Sequence, residues 1–395
     1  MEDCGAFERP TQDEMGADMT SLFRGAVRLV IEHALQEEVR EMVGARRYQR
    51  LAGRKDHRNG TYLRRLLTSM GQLEVAVPRA REQGSPTGII GRYRRRSAEV
   101  DRMVTTAYVE GVSTRDMSRL TEALMGEGIS RSTVSRVTKV LGEQVEALRR
   151  EPIEGPVPYV YLDGTFLDAR WARKVENVAA LVAYGVTMDG HRRLLRVSIG
   201  AEESEASWSD LLGQLVERGL SGVQLIIADE HRGLIQAVRH HLPEAQRQRC
   251  TVHLERNVLT KVPQRLRGRV ASQFRTIFEA PDLAEAKRRL RVFAGGLGQQ
   301  VPEALRCLED GFGAATQYYS FPEEHRIRIR STNGLERLHG EVKRRIRSIG
   351  AFPDRDSALR LITAVALQTT RIWSDRRYLD MSLLKKEATA TDAAA

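Results

Sequence analysis

Apolar residues follow two different periods along this chain, and the change comes near residue 157. Upstream they recur every three or four positions, as on one face of an α-helix. Downstream they gather into short β-branched and aromatic runs of the kind that form buried strands. The pattern therefore predicts a largely helical N-terminal part followed by an α/β part.

The first predicted helix covers residues 22–43. Its apolar residues lie on roughly one side, which is expected either to dock internally or to dimerise. These positions are Leu22, Val27, Val30, Ile31, Ala34 and Leu35. From 46 to 96 the pattern loosens into Gly, Pro and Arg, with strand candidates only at 63–68 and 73–77. This segment is expected to be a weakly structured arm.

Three short helices are predicted between residues 98 and 141. Gly111 ends the first, and Ser113 caps the second with Asp116 in the capping-box position. Ser130 caps the third. The second helix carries the apolar residues Met117, Leu120 and Leu124.

The third of these helices has a basic outer face rich in small residues. Val134, Val137 and Leu141 are expected to face inward. The residues left outward are Arg131, Ser132, Ser135, Arg136 and Lys139. This arrangement predicts a helix-turn-helix whose third helix enters the major groove of DNA. A plain helical bundle with a solvated polar face is the alternative.

The second part of the chain alternates between strands and helices. Its predicted strands are 157–166, 178–186, 194–199, 223–228 and a short one around 249–253, with helices at about 207–218 and 234–241. Asp189-Gly190 lies between two apolar runs and predicts a hairpin. Three antiparallel strands followed by alternating helices and parallel strands are the ribonuclease H-like order. A helical, arginine-rich stretch follows, and a last helix runs from Asn333 through Arg345.

The predicted fold class is therefore multidomain α/β. Its segments are an acidic tail and helix (1–45), a basic DNA-contacting arm (46–97), a helix-turn-helix domain (98–150), the first part of a ribonuclease H-like core (151–253), an all-helical insertion (254–325), and the last part of the core with its final catalytic helix and C-terminal helices (326–395).

Positive charge is concentrated in one segment. Residues 46–96 hold fourteen Lys or Arg against three acidic residues, so this segment alone has the net charge of +11 that the whole chain carries. So one-sided a segment is typical of a surface that follows a phosphate backbone. Its candidate DNA contacts are Arg94, Arg95 and Arg96.

The rest of the composition points to a cytoplasmic protein, nucleoid-associated when it is bound to DNA. No apolar run approaches the ~18 residues of a membrane span, and the first twenty residues are too acidic for a signal peptide. Three widely spaced cysteines do not suggest a disulfide framework. Double-stranded DNA and a second copy of the chain are the expected partners, with no membrane and no small-molecule substrate.

Two apolar runs end in an aspartate, Asp163 and Asp229. If the two strands are parallel neighbours, their carboxylates meet at one sheet edge, where a buried charge needs a partner or a metal. Oxygen ligands select Mg²⁺ or Mn²⁺, and two such ions can promote displacement at phosphorus. Glu336, at the start of the last helix, is the candidate third ligand, although the helix dipole alone would also favour a glutamate there. The same helix offers candidate DNA contacts at Arg337, Lys343 and Arg344.

Several motifs resemble the prokaryotic Mutator-type insertion-sequence transposases, a DDE class of enzyme. They include Asp163-Gly164, Trp208, Arg218-Gly219-Leu220, the Asp229 strand, Gln248-Arg249-Cys250 with His253, Thr332-Asn333 with Glu336, and Gly350 with Phe352-Pro353, and upstream Arg58-Asn59-Gly60, Val77-Pro78-Arg79 and Gly111 with Ser113-Thr114-Arg115. The order and spacing of these motifs carry the resemblance, which covers nearly the whole chain. Glu230 stands where the family often has glycine.

The resemblance implies specific roles. The catalytic and metal-binding Asp, Asp and Glu of the family fall on Asp163, Asp229 and Glu336, with two Mg²⁺ or Mn²⁺ ions expected. It also implies an insertion within a ribonuclease H-like fold, cleavage of DNA at terminal inverted repeats, and strand transfer into target DNA by a metal-bound 3′ hydroxyl. The Cys-x-x-His of the family falls on Cys250 and His253.

Four further residues have more modest expected roles. Cys250 and His253 lack the four ligands of a structural zinc site, so they are expected to support the metal ligands from the strand near Asp229, as is Asn333. Trp208 is by default a core residue, with base stacking as an alternative role in DNA binding.

Two other functions remain open. A DNA-binding regulator would have an inert ribonuclease H-like domain, and a hydrolytic nuclease would share the metal site without joining DNA. The products would distinguish them.

Overall fold

The structure, a computed structural model, describes residues 12–49, 51–91, 94–171, 174–373 and 375–384. Its strands are β1 (Arg58–Thr68), β2 (Gly71–Ala80), β3 (Tyr159–Trp171), β4 (Lys174–Val186), β5 (Arg192–Gly200), β6 (Leu225–Ala228) and β7 (Gln246–Arg249). Its helices are α1 (Gln12–Val43), α2 (Ala98–Val109), α3 (Asp116–Met125), α4 (Arg131–Val137), α5 (Leu141–Arg150), α6 (Glu205–Glu217), α7 (Arg232–His241), α8 (Thr251–Thr260), α9 (Gln264–Phe278), α10 (Leu283–Gly295), α11 (Pro302–Ala315), α12 (Glu323–Ile329), α13 (Asn333–Ile349) and α14 (Arg355–Thr370).

The chain divides into two compact units, Met1–Lys139 and Val140–Ala395. The first eleven residues of the predicted acidic tail, with Cys4, lie outside the described residues, as do Arg50 and Arg92 of the basic segment.

In the first unit, α1 docks on a β-hairpin. Leu35 of α1 packs with Leu66, Leu73, Val75 and Val77 of β1 and β2, and all five are buried. Internal docking of this helix is therefore confirmed. Part of the predicted apolar face is wrong, because Leu22 and Val30 are 73% and 68% exposed and the buried stripe continues instead to Val39 and Val43.

The predicted weakly structured arm contains a regular hairpin. β1 and β2 pair antiparallel from Arg58 to Ala80. Asp56, just before the hairpin, is buried and accepts backbone N–H bonds from His57, Glu82 and Gln83, which lower its carboxyl pKa. The expectation of weak structure is wrong for this region because the apolar residues of the hairpin have a helix to cover them.

The three short helices α2, α3 and α4 lie where the sequence predicts them. Ser130 accepts the N–H of Thr133 at the start of α4, and Ser113 forms hydrogen bonds with the backbone and carboxyl groups of Asp116 at the start of α3. Of the apolar residues on α3, Met117 is buried, whereas Leu120 and Leu124 are 37% and 61% exposed. The polar residues predicted to face outward on α4 and just after it are all exposed, and they are Arg131, Ser132, Ser135, Arg136 and Lys139.

The second unit is built on a five-stranded mixed sheet with the order β5-β4-β3-β6-β7. β3, β4 and β5 are antiparallel neighbours, and β6 and β7 join β3 in parallel. The predicted Asp189-Gly190 turn joins β4 to β5, with Gly190 at a φ of 84° that favours glycine. One sheet face packs on α6 and α7 around Trp208, which is fully buried.

Helices α8 to α12 fill the region predicted to be a helical insertion. The strand expected around 249–253 is misplaced, because β7 ends at Arg249 and α8 begins at Thr251. Cys250 precedes that helix and His253 lies in its first turn, so neither residue is on a strand. α13 begins at Asn333 as predicted and buries Leu335, Leu338 and Val342.

Candidate active site

Asp163 and Asp229 emerge side by side from neighbouring parallel strands. The pairing of β3 with β6 ends at Tyr161 opposite Ile227, so two residues farther along each strand come Asp163 and Asp229. Residues in register on parallel strands point to the same face of a sheet. Asp163 lies within β3 and not at its end, since β3 continues against β4 to Trp171. The strand that ends near this position is β6, the parallel partner of β3.

The helix α13 brings two more side chains to this edge. His339 is buried, and its Nδ1 lies 3.3 Å from Oδ2 of Asp163. Glu336 precedes His339 by three positions and so lies on the same side of the helix. Its Oε1 is 2.7 Å from Nη1 of Arg256 on α8. The third predicted carboxylate is thus held by an arginine on the helix next to the sheet edge.

Close packing fixes the beginning of α13. A Cβ on Gly334 would lie 2.8 Å from the hydroxyl of Tyr184, and Tyr184 stacks on Tyr161 with ring centroids 4.3 Å apart. Both tyrosines are fully buried in the sheet. The first turn of α13 therefore depends on glycine for its position.

Cys250 links the Asp229 strand to the Glu336 helix. Its backbone N–H donates to the carbonyl of Ala228 at 2.7 Å. The backbone N–H and the hydroxyl of Thr332, just before α13, both donate to its Sγ at 3.3 Å. Cys250 is fully buried. Cys250 does not lie on a strand as predicted. Its contacts instead connect the end of β6, which precedes Asp229, to the start of α13, which carries Glu336.

The pKa of His253 is shifted by groups of the site. A hydrogen bond to the Cys250 thiol is the main cause that raises the pKa of His253 to about 9, and the negative charges of Asp229 and Asp163 add to it. These neighbours therefore favour the cationic form of the imidazole.

Glu203 is an acidic residue of the site that the sequence did not indicate. Its Oε1 accepts the indole N–H of Trp208 at 3.2 Å, and His231 Nδ1 lies 3.9 Å from the same oxygen. Its Oε2 lies 3.0 Å from where a Cβ on Gly164 would be. Burial raises the pKa of Glu203, and the charges of Asp163 and Asp229 raise it further. Two features of the sequence could have indicated Glu203. They are the glycine after Asp163 and the Glu202-Glu203 pair just before a helix.

Trp208 takes the core position expected by default, and not the alternative role in base stacking. Its side chain is fully buried, so it belongs to the core and cannot stack on a base.

Comparison with known proteins identifies the family. The family model described as Transposase, Mutator family, matches residues 2–375. The chain belongs to the Mutator family of transposases. The transposase for insertion sequence element ISRM5 of Rhizobium meliloti is 35% identical over 92% of each chain. The transposase for IS256 in transposon Tn4001 of Staphylococcus aureus is 34% identical, over 89% of this chain and 91% of its own.

Another relative of this Mutator-family chain comes from Mycobacterium tuberculosis. It is the transposase for insertion sequence element IS1081, 33% identical over 97% of this chain and 93% of its own. Among solved structures, a chain in a simian T-cell lymphotropic virus intasome aligns at 14% identity over 43% of this chain and 70% of its own. Its TM-score of 0.16 is too low to carry any argument.

The donor groups of the Mutator-family site have the chemistry of a Mg²⁺ or Mn²⁺ site but are not gathered into one. Within the described ranges no three His, Cys, Asp or Glu side chains lie close enough together to hold a metal ion. Glu336 is paired with Arg256, and Asp163 faces His339. Carboxylate oxygens are the right donors for these ions.

The other predicted site residues on α13 are placed at the surface. Asn333, Arg337, Lys343 and Arg344 are all exposed. Glu230 forms an ion pair with Arg249 at 3.4 Å, so it adds little net charge beside Asp229. Every helix in the described part of the chain is too short or too polar to cross a membrane.

Proposed function

We propose that this Mutator-family protein is a DDE transposase that binds the terminal inverted repeats of its element and catalyses metal-dependent DNA cleavage and strand transfer. The observation that carries the proposal is the register of β3 and β6, which places Asp163 beside Asp229, with the Glu336 helix contacting Asp163 through His339. Carboxylates that three separate segments carry toward one sheet edge are what phosphoryl transfer assisted by divalent ions needs.

The topology of the second unit supports a ribonuclease H-like core with a helical insertion. Three antiparallel strands come first, and two parallel strands separated by α7 follow. The helices α8 to α12 then lie between the second aspartate and Glu336. In the first unit, the exposed basic face of α4 supports a helix-turn-helix. Arg94 and Arg95, which are exposed, and Arg96, which pairs with Asp101 at 2.9 Å, would be further DNA contacts just before α2.

Asp163, Asp229 and Glu336 would hold the metal ions. Bound divalent ions would activate the attacking oxygen and stabilise the leaving oxygen of the phosphodiester. The chain prepares the ligands: His339 orients Asp163, and Cys250 fixes the start of α13 relative to the end of β6. The side chains of Arg256 and Glu336 are 60% and 26% exposed, so their ion pair lies at the edge of solvent, where a divalent ion could replace the arginine.

Amide substitutions test the proposal because they keep side-chain shape and remove one charge. Asp163→Asn, Asp229→Asn and Glu336→Gln should each lower cleavage and strand transfer by about 10⁴-fold or more, since the carboxylates act as a unit. Binding to the element's ends should stay near wild type. Each variant should also lose the rise in melting temperature that Mg²⁺ gives the wild-type protein.

Glu341→Gln is the matched control. Glu341 lies on the same helix but pairs with Arg344 and Arg345, so its loss should leave most activity. Active amide variants would exclude the metal site, and loss of activity only in Glu341→Gln would exclude Glu336 as the third ligand. Free DNA ends without joined products would indicate a nuclease, and end binding without cleavage a regulator.

A further inference from the structure

A cleft of about 970 Å³ lies in the second unit beside the beginning of α13. Its walls come from the start of β5, the connection between α12 and α13, and the segment 375–378 that follows the last helix. One acidic residue, Asp375, lines it. Its basic residues are Arg192, Arg328, Arg330, Arg337, Arg376 and Arg377. We call it the arginine cleft.

Most of these arginines have no acidic partner in the part of the chain that the structure describes. Arg377 pairs with Asp380 at 2.7 Å, and Arg330 has a distant partner in Glu279 at 3.9 Å. The other four arginines form no ion pair within 4.0 Å among the residues that the structure describes. Like charges gathered in one concavity repel each other and attract anions. The arginine cleft is therefore suited to an anionic ligand that supplies the missing charge.

Aromatic side chains hold part of the cleft in place. The Arg192 guanidinium lies 4.2 Å from the ring centroid of Trp373 and 4.3 Å from that of Tyr378. Tyr378 also has Arg328 at 5.3 Å, and its backbone N–H donates to the carbonyl of Gly190 at 2.7 Å. Guanidinium groups stacked on aromatic rings lose less freedom when they bind a ligand. The cleft is thus arranged before the ligand arrives.

The N-terminal end of α13 opens into the same cleft. Asn333 and Gly334 line it, and the side chain of Thr332 does not cap the helix because its hydroxyl donates to Cys250. The first backbone N–H groups of the helix, with the positive end of its dipole, therefore add to the arginines. This is the usual environment of a bound phosphate.

We propose that the arginine cleft binds the phosphate backbone of the DNA strand that reaches the carboxylates, an inference that rests on the proposed function. Its arginines come from three separate segments, which suits successive phosphates along a strand better than one small anion. Arg337 lines the cleft and lies on α13, the helix that carries Glu336, so a strand in the cleft would lie against that helix. Inorganic phosphate offers the same chemistry, and the experiment must separate the two.

The test uses the full-length protein with Arg328→Ala and Arg376→Ala combined. Binding to a duplex carrying the element's end and to an unrelated duplex is measured by fluorescence anisotropy over a series of KCl concentrations without divalent ions. Each phosphate contact contributes about 0.9 to the slope of log affinity against log salt, so the slope should fall by about 2. Affinity for the two duplexes should drop by the same factor, since backbone contacts carry no sequence information.

The matched control removes two exposed arginines elsewhere in the unit, Arg269→Ala on α9 with Arg291→Ala on α10. It changes the net charge equally and should leave the slope unchanged. An unchanged slope in the cleft variant, or an equal fall in the control, overturns the proposal. So does loss of inorganic phosphate binding by calorimetry with DNA binding intact, because the cleft would then be a small-anion site.

The two proposals fail separately. The salt slope is measured without cleavage, so its failure leaves the amide test of the carboxylates unaffected. Retained cleavage in every amide variant would remove the proposed chemistry while the slope still reported on the cleft.

Discussion

Four carboxylates lie around one sheet edge, and the protein holds each in a different way. Asp163 faces His339, Asp229 accepts the N–H of Glu230 at 2.7 Å, and Glu336 is paired with Arg256. Glu203 accepts the indole N–H of Trp208. Negative charges this close raise the free energy of the metal-free fold unless cations neutralise them. The side-chain partners offset part of this cost.

Glu203 gives the first prediction at this scale. Its carboxyl pKa is raised in the folded protein, so folding favours its protonated form, and its contribution to stability is lost as pH rises through that pKa. At neutral pH, Glu203→Gln should therefore raise the melting temperature of the metal-free protein. If Glu203 helps to hold ions, the same change should reduce the further rise that Mg²⁺ produces.

The control for this prediction is the neighbouring residue. Glu202 is exposed, so Glu202→Gln removes an equal charge outside the site and should change neither melting temperature by more than a small amount. Calorimetric scans with and without Mg²⁺ measure both effects. A Glu203→Gln protein that is destabilised without metal would contradict the charge argument.

The residues beside them in the sequence were enough to predict Asp163 and Asp229, but not the side chains that lie near them in the fold. Each aspartate follows an apolar run that can be recognised from the residues beside it. His339 and Glu203 come to the site by the packing of α13 and of the segment before α6, and no local pattern encodes those contacts. Trp208 was assigned to DNA as an alternative to the core because a tryptophan near a helix start does not by itself reveal burial.

At the scale of elements, β7 shows why a strand can be missed. Its sequence is Gln-Arg-Gln-Arg, without apolar alternation, so the neighbouring residues 249–253 were predicted as the strand. The buried residue is Gln248, whose amide donates to the carbonyl of Ala315 at 2.8 Å and accepts the N–H of Tyr318 at 2.9 Å. The helical region supplies these partners, and only the folded chain brings them to the strand.

The position of α13 gives an element-scale prediction. In Gly334→Ala the new methyl group would meet the Tyr184 hydroxyl at 2.8 Å, and the stacked, buried Tyr184 has no room to move. The start of the helix must shift, and misplacing a catalytic group by about 1 Å costs about 10²-fold in rate. Cleavage should fall by about that factor, with a stability loss of about 1–3 kcal/mol.

Gly340→Ala is the matched change on the same helix. Nothing lies within 4 Å of the added carbon, so it should stabilise the protein by about 0.5–1 kcal/mol and leave cleavage unchanged. Denaturant titration and a cleavage assay measure the pair. Equal activity of the two variants would mean that the Gly334 contact does not set the position of Glu336.

At the scale of the whole molecule, the excess positive charge and the candidate carboxylates lie in different units. The excess positive charge lies at 46–96, within the first unit, and all the candidate carboxylates lie in the second. Charge and hydrophobic period can be counted along the chain, which is why this division was predictable. The regular hairpin within the basic segment was not, because the apolar residues that make it stable, such as Leu66 and Val75, are covered by α1 from a separate part of the sequence.

The last prediction follows from that division. Residues 1–139 have their own buried clusters, around Leu35 with the hairpin and around Val39 with Ala80, so this fragment should unfold cooperatively on its own. It should also bind the element's ends, with affinity that falls steeply with salt. Arg136→Ala should weaken binding and lower the salt slope by about 0.9 if the residue contacts one phosphate. Arg102→Ala, an exposed charge on α2, should leave the slope unchanged.

Anisotropy titrations of the fragment and of residues 140–395 decide the matter. Full end-binding by residues 140–395 alone, or a salt-insensitive affinity of the first unit, would place recognition of the ends elsewhere than on α4.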